Sequence, residues 1–206
     1  GRGYTIEAAH LCSEGVADFA DVDRIMRDAA GFRMGPLELM DLTAIDVTHP
    51  ATELIYEQFF HEPRYRPSTL MKTRMEAGLL GRKTGQGVYA YEGGKQQTPE
   101  EKTSPEYDGR AVWVTPSNPE THEQIVSLLK RLNANLDDGE EPGEESLIIV
   151  APLGIDATTA SLEEGLNPEH TIALDPLLGL DSRRTIMKTP VPDPAFTASA
   201  HGLFAS

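Results

Sequence analysis

Three glycines enclose two cations in Gly81-Arg82-Lys83-Thr84-Gly85-Gln86-Gly87. Such a loop can turn sharply, because glycine takes left-handed backbone angles at little cost. Its guanidinium and ammonium groups could meet an anionic ligand. The pattern fits neither a P-loop, which sets Gly-Lys-Ser/Thr ahead of a helix, nor Gly-x-Gly-x-x-Gly after a strand. Chemistry alone leaves two readings open, a tight structural turn or an anion contact. Arg27 and Arg33 flank Gly31 at a helix junction beside Phe32 and Met34. There a structural ion pair to Asp28, Glu38 or Asp41 competes with a binding role.

Other chemistries find little support. The histidines at 10, 49, 61, 122, 170 and 201 are scattered, with no metal-ligand spacing among them or with cysteine and acids. His49 and His61 read as loop or cap residues. No Ser stands in Gly-x-Ser-x-Gly. The acid pairs Glu38/Asp41 and Asp21/Asp23 read as helix starts or solvated faces. Two strand-to-helix turns in the second half, Thr115–Glu120 and Pro152–Asp156, lack the glycines that admit a pyrophosphate, and Glu120 stands where a phosphate would sit. This half is therefore expected to bind no dinucleotide.

The elements that must hold these residues follow from periodicity and punctuation. Helices are expected over 4–14, 17–30 (with Asp21 as N-cap), from Gly35-Pro36 onward, over 46–60 and over 69–77. In the fourth, Val47, Ala51, Leu54, Ile55 and Phe59 read as the inward face. Val88–Tyr91 is a short extended tail. Residues 93–109, rich in Gly, Pro and charge, read as a linker. The period then changes. Ala111–Val114, Leu147–Val150, Thr171–Leu174 and Arg183–Lys188 read as strands, with helices over 120–132, 157–165 and 194–204 between and after them. Alternating strand and helix predicts an α/β unit with a mostly parallel sheet.

With 206 residues, 39% of them hydrophobic, the chain can pack one large or two small cores. Its net charge of −15 argues against nucleic acid and anionic membranes as partners. Residues 1–92 hold 10 basic and 14 acidic side chains, and the acidity concentrates after them. One cysteine, Cys12, excludes an internal disulfide and suits a reducing compartment. With no membrane-spanning apolar run and no signal peptide in these residues, a cytoplasmic location is expected. Gly1 in place of Met suggests a tagged, cleaved or trimmed piece.

Several phrases in order carry a family resemblance: Glu7-Ala-Ala-His-Leu11, Asp23-Arg-Ile-Met-Arg27, Gly31-Phe-Arg-Met-Gly-Pro36, Asp41-Leu-Thr-Ala-Ile-Asp46, Arg64-Tyr-Arg-Pro-Ser68 and Gly78–Tyr91. With them, residues 1–92 closely resemble the C-terminal helical domain of bacterial 3-hydroxyacyl-CoA dehydrogenases of the phenylacetate and short-chain acyl-CoA degradation type. Residues 110–206 more loosely resemble the α/β insert of longer members, through Arg183-Arg-Thr-Ile-Met-Lys-Thr-Pro190.

The resemblance implies an all-helical domain like the C-terminal domain of 6-phosphogluconate dehydrogenases, then a small three-layer α/β Rossmann-like domain: α plus α/β, with residues 1–92 a substrate and dimerisation domain, 93–109 a linker and 110–206 the second domain. It also implies an NAD-dependent oxidation of (S)-3-hydroxyacyl-CoA to 3-ketoacyl-CoA in fatty-acid β-oxidation or aromatic degradation. The family's base takes the 3-hydroxyl proton while hydride passes to the nicotinamide. The catalytic groups and the NAD site belong to a Rossmann domain outside this chain, so the chain alone is expected to be inactive, with no cofactor or metal site within it. What remains would shape the acyl-CoA cleft and a homodimer interface. The candidates for substrate contact are Arg33, Met34, Gly35 and Pro36, then Arg82, Lys83, Thr84, Gly85 and Tyr89. The competing reading is a standalone, non-catalytic dimerisation or protein-binding module.

Overall fold

The structure, a computed structural model, describes residues 2–205. The chain divides into two units, Gly1–Glu101 and Lys102–Ser206.

The first unit is helical: α1 (Arg2–Ser13), α2 (Phe19–Asp28), α3 (Pro36–Thr43), α4 (Ile45–Gln58) and α5 (Thr69–Glu76). A hairpin of β1 (Ala90–Glu92) and β2 (Lys95–Gln97) follows, paired antiparallel. Single 3-10 turns lie at Pro63–Tyr65 and Arg82–Thr84. Ala8 and Ala9 of α1, Leu37 and Met40 of α3, Ile45 of α4 and Met71 of α5 meet in one core, which Tyr89 joins from the loop before the hairpin. Glycine ends α1 and α2 as expected, with Gly15 and Gly31 both at φ 73°.

Three expectations are corrected here. The N-cap position of α2 is Asp18; Asp21 lies inside the helix and pairs with Arg24 at 2.8 Å. His49 is buried within α4 and is neither a loop nor a cap residue. The apolar stripe of α4 points the other way. Its buried residues are Ile45, Thr48, His49 and Thr52, while Val47 and Leu54 are 59% and 54% exposed and Phe59 is exposed as well. The buried threonines satisfy their hydroxyls within the helix, Thr48 on Ala44 O at 3.2 Å and Thr52 on Thr48 O at 2.9 Å. They can therefore face the core without an orphaned polar group.

Residues 93–109 are more ordered than a linker. Lys95–Gln97 form β2, and Arg24 donates to the Pro99 carbonyl. In the second unit Tyr107 packs against the core, and the backbone of 105–107 lies so close to Gly202 that a Cβ there would come within 2.5 Å of Tyr107 N.

The second unit has β3 (Val112–Val114), α6 (Pro119–Arg131), β4 (Leu147–Val150), α7 (Ala157–Glu163), β5 (Thr171–Leu174), β6 (Ile186–Lys188) and α8 (Pro194–Phe204). Strands β3, β4 and β5 are parallel neighbours, and β6 adds antiparallel to β5. The two-residue period of the strands sorts their side chains into layers. Val112, Val114, Leu147, Ile149, Ile172 and Leu174 face α6 and α8, while Trp113, Ile148, Val150 and Ala173 face α7. Helices thus cover both faces, which is why these strands read as continuous apolar runs. Asn118 caps α6, Asp156 caps α7 and Asp193 caps α8, each accepting a backbone N–H of the first turn.

Candidate functional site

Two buried carboxylates organise the first unit. Helix α3 begins with Pro36, and the residue before it, Gly35, has no side chain with which to cap. Asp23 reaches over from α2 instead, accepting from Leu37 N at 2.8 Å and Glu38 N at 3.1 Å. A negative group at the positive end of a helix is favourable. Tyr89 donates its hydroxyl to Asp23 Oδ2 at 2.6 Å, tying the loop before the hairpin to the same point. A Cβ on Gly35 would lie 2.2 Å from Asp23 Oδ1, so glycine is required there by space. Burial dominates the ionisation of Asp23 and raises its pKa to about 6, against the lowering effect of its three donors.

Asp41, also fully buried, does for the glycine-rich loop what Asp23 does for α3. Its carboxylate accepts from Val88 N at 2.8 Å, Tyr89 N at 2.9 Å and the Tyr91 hydroxyl at 3.1 Å. The loop wraps this carboxylate closely. A Cβ on Gly81 would fall 2.3 Å from Asp41 O, and one on Gly87 would fall 2.2 Å from Asp41 Oδ1 and 2.4 Å from Gly81 Cα. Thus two of the three loop glycines are explained by close approach, and Gly85, at φ 76°, by its left-handed backbone. The backbone just after the loop does hold a carboxyl group, but it is the chain's own Asp41. The expectation that these acids sit on solvated faces is corrected on this point.

The third acid, Glu38, is half-buried. It accepts from Gly35 N at 2.9 Å and from Gln96 Nε2 at 3.1 Å, and it pairs with Arg27. This pair was among those foreseen for the Arg27/Arg33 junction. Over it opens a cavity of about 280 Å³ lined by Met34, Glu38, Leu42, Arg82, Tyr91, Gly94 and Gln96. Met34 and Leu42 supply apolar wall, Gln96 amide chemistry and Arg82 a cation. Glu38 and the Tyr91 hydroxyl are already engaged, which leaves Arg82 as the charged lining group not held in an ion pair among the described residues.

Of the nine residues expected at a substrate site, Met34 and Arg82 line this cavity. Arg33 is exposed, while Gly35 and Pro36 are buried at the start of α3. Lys83 is held by Asp46 at 2.6 Å. The Thr84 hydroxyl accepts from Leu80 N at 3.1 Å and lies 2.8 Å from Gln86 O, closing the turn. Gly85 caps that turn. Tyr89 is buried against Asp23, and both burial and that carboxylate push its pKa up. The lining residues that sequence reasoning did not put at the site are Glu38, Leu42, Tyr91, Gly94 and Gln96. The register of the β1–β2 hairpin brings the last of these over α3, and no local pattern announces it. Cys12, whose pKa burial raises to about 11, is a poor nucleophile. Among the described residues no group of three or more His, Cys, Asp or Glu side chains could hold a metal ion.

The family match among known proteins falls within the first unit. Residues 2–91 match the family described as 3-hydroxyacyl-CoA dehydrogenase, C-terminal domain. The chain is 42% identical over 88 residues to 3-hydroxyadipyl-CoA dehydrogenase of Escherichia coli (strain K12), covering 43% of this chain and 18% of that protein. It is 40% identical over 85 residues to a probable 3-hydroxybutyryl-CoA dehydrogenase of Deinococcus radiodurans, covering 41% of this chain and 30% of that one. The chain thus spans less than a third of either relative. The crystal structure of a 3-hydroxybutyryl-CoA dehydrogenase from Escherichia coli K12 matches 99% of this chain with 38% of its own, at a TM-score of 0.67 and 24% identity, a likeness of fold. Residues 2–91 of this chain are thus similar to the C-terminal domain of 3-hydroxyacyl-CoA dehydrogenases.

Proposed function

We propose that this chain is the substrate-cleft and dimerisation part of an NAD-dependent 3-hydroxyacyl-CoA dehydrogenase that oxidises (S)-3-hydroxyacyl-CoA to 3-ketoacyl-CoA in the cytoplasm, and that it is inactive by itself. The observation that carries the reading is Arg82, in no ion pair among the described residues, at an apolar-walled cavity on a domain similar to this family's. An acyl-CoA combines an apolar chain with anionic phosphates, and Met34 and Leu42 beside Arg82 offer both kinds of contact. Nothing among the described residues fits a dinucleotide. The backbone donors after the glycine-rich loop are spent on Asp41, and the first turn after β3 opens on Pro119, which has no N–H, and Glu120. On this reading the cofactor, and the proton and hydride transfers that need it, belong to a nucleotide-binding domain beyond these residues.

The test uses acetoacetyl-CoA and NADH in the reverse direction. The 206-residue chain is expected to give no turnover, and a protein carrying a nucleotide-binding domain ahead of it is expected to be active. In that protein Arg82→Gln should raise KM for the thioester roughly tenfold and leave kcat within about a factor of two, as loss of a charge-assisted contact common to ground and transition states would. Turnover by the isolated chain would defeat the division of labour. An unchanged KM would defeat the place given to Arg82.

The outward stripe of α4 supports the homodimer. Val47 and Leu54 lie seven residues apart, two helical turns on one face, and both are more than half exposed. Leu54→Glu should convert a dimer to a monomer in sedimentation equilibrium with unchanged far-UV circular dichroism. A variant that sediments as the parent does would rule this face out.

A further inference from the structure

The second unit has a ligand crevice of its own. Beyond the four strands, Leu136 bridges in parallel to Val112. Val112 N donates to Asn135 O at 2.8 Å, and Asp137 N donates to Val112 O at 2.9 Å. Because Val112 also pairs with Leu147 of β4, the 135–137 segment lies on the other side of β3. From β3 the chain therefore runs through α6 to one side, then returns across β3 to β4 and runs through α7 to the other. The two helices lie on opposite faces of the sheet, as right-handed crossovers stepping in opposite directions require. The C-terminal ends of β3 and β4 thus form a topological switch point, where open α/β sheets bind their ligands. A cavity of about 190 Å³ lies there, lined by residues that include Ser117, Asn118, Val150, Leu153, Ala160 and Glu164.

We propose that this crevice binds a small organic cation, an ammonium group on an apolar body of a few carbons. The features that would serve a phosphate are absent or spent. Pro119 and Glu120 open α6, Asn118 Oδ1 takes the Thr121 N–H, and no Lys or Arg lines the cavity. Dinucleotide sites place an acid near the end of the second strand to hold a ribose. The acid here, Asp137, already accepts from Gly139 N, Gly143 N and the Ser146 hydroxyl.

What the crevice does offer is a carboxylate. The Thr115 hydroxyl holds Glu164 through Oε2, and Oε1 has no partner among the described residues. The Ser117 hydroxyl adds a second acceptor. Val150 and Ala160 are buried apolar lining and Leu153 a 61% exposed apolar one, suited to a short hydrocarbon body. The volume is below that of drug-sized sites, which start near ~300 Å³. Residues 102–206 contain seven basic and seventeen acidic side chains, a field that draws in cations.

Proton–nitrogen correlation spectra of the whole chain, titrated with n-butylammonium chloride, test this. Butyrate and inorganic phosphate at matched ionic strength are the controls. Saturable shifts are expected at Ser117, Asn118, Leu153 and Glu164 with n-butylammonium alone. Glu164→Gln, a change at an exposed side chain, should weaken binding roughly tenfold. Thr115→Val, which frees the carboxylate without removing it, should weaken it less. Shifts that track ionic strength only, that phosphate or butyrate reproduces, or that survive Glu164→Gln unchanged would overturn the proposal.

Discussion

Replacing Asp41 with Ala is expected to lower the stability of the helical unit by about 4 kcal/mol, because it strands several buried or half-buried donors at once. Val88 N, Tyr89 N and the Tyr91 hydroxyl all donate to this carboxylate. Asp41→Asn should cost less, since one amide oxygen can still accept. The same centre makes Gly87 intolerant. Gly87→Ala places a methyl 2.2 Å from Asp41 Oδ1 and 2.6 Å from Gly81 N, where the obstacle is backbone as well as side chain. Its cost should rival that of Asp41→Ala. Gly85→Ala is the control: its Cβ meets nothing closer than 3.9 Å, so only the left-handed backbone penalty of about 1 kcal/mol applies. Urea unfolding followed by hydrogen exchange at the Tyr89 amide reads all four variants. Equal costs for the two glycine changes would show that close packing around Asp41 is not what selects the loop sequence.

The second large effect is a dependence on pH opposite in sign to ordinary acid denaturation. Asp23 has a pKa of about 6 in the folded unit, against the usual 3.8. Between these values the unfolded chain binds fewer protons than the folded one, so stability falls as pH rises. The contribution is fully present below about pH 4 and lost on passing about pH 6. Its size is about 3 kcal/mol for a shift of this order. Asp41, also raised by burial, acts in the same direction. Unfolding free energies measured from pH 4 to 7 should therefore decline, and Asp23→Asn should flatten the decline. A carbon-13 titration of the Asp23 carboxyl gives the pKa directly, and a value in the ordinary carboxylate range would refute the account. The single tryptophan, Trp113, belongs to the second unit, so its fluorescence would not report this transition.

Local rules sufficed for much of this chain. Helix stops at Gly15 and Gly31, the Gly35-Pro36 start of α3, the cap at Asp156 and the apolar runs of β3, β4 and β5 are short-range signals, and the fold uses them as written. The ordered phrases from Glu7 to Tyr91 carried the family resemblance for the same reason, since each phrase is a local constraint. In α4 the apolar period is intact, yet its stripe faces outward. Periodicity shows that a stripe exists, and only the neighbours decide whether it meets the core or a surface.

The candidate site was less legible. Arg82 and Met34 could be named through the family resemblance, but the cavity between them is completed by Glu38 from α3 and by Gln96 across a hairpin. Asp23 and Asp41 looked like solvated acids because burial is a property of packing. What makes each tolerable inside is a set of donors fourteen to sixty-six residues away for Asp23 and forty-seven to fifty for Asp41. The sequence by itself determined the helical first part, the strand and helix alternation of the second and the resemblance of the first to a known family. The tertiary structure decided which acids hold the loops, which face of α4 is free and where the second sheet opens its crevice, because each depends on residues far apart in the chain meeting in space.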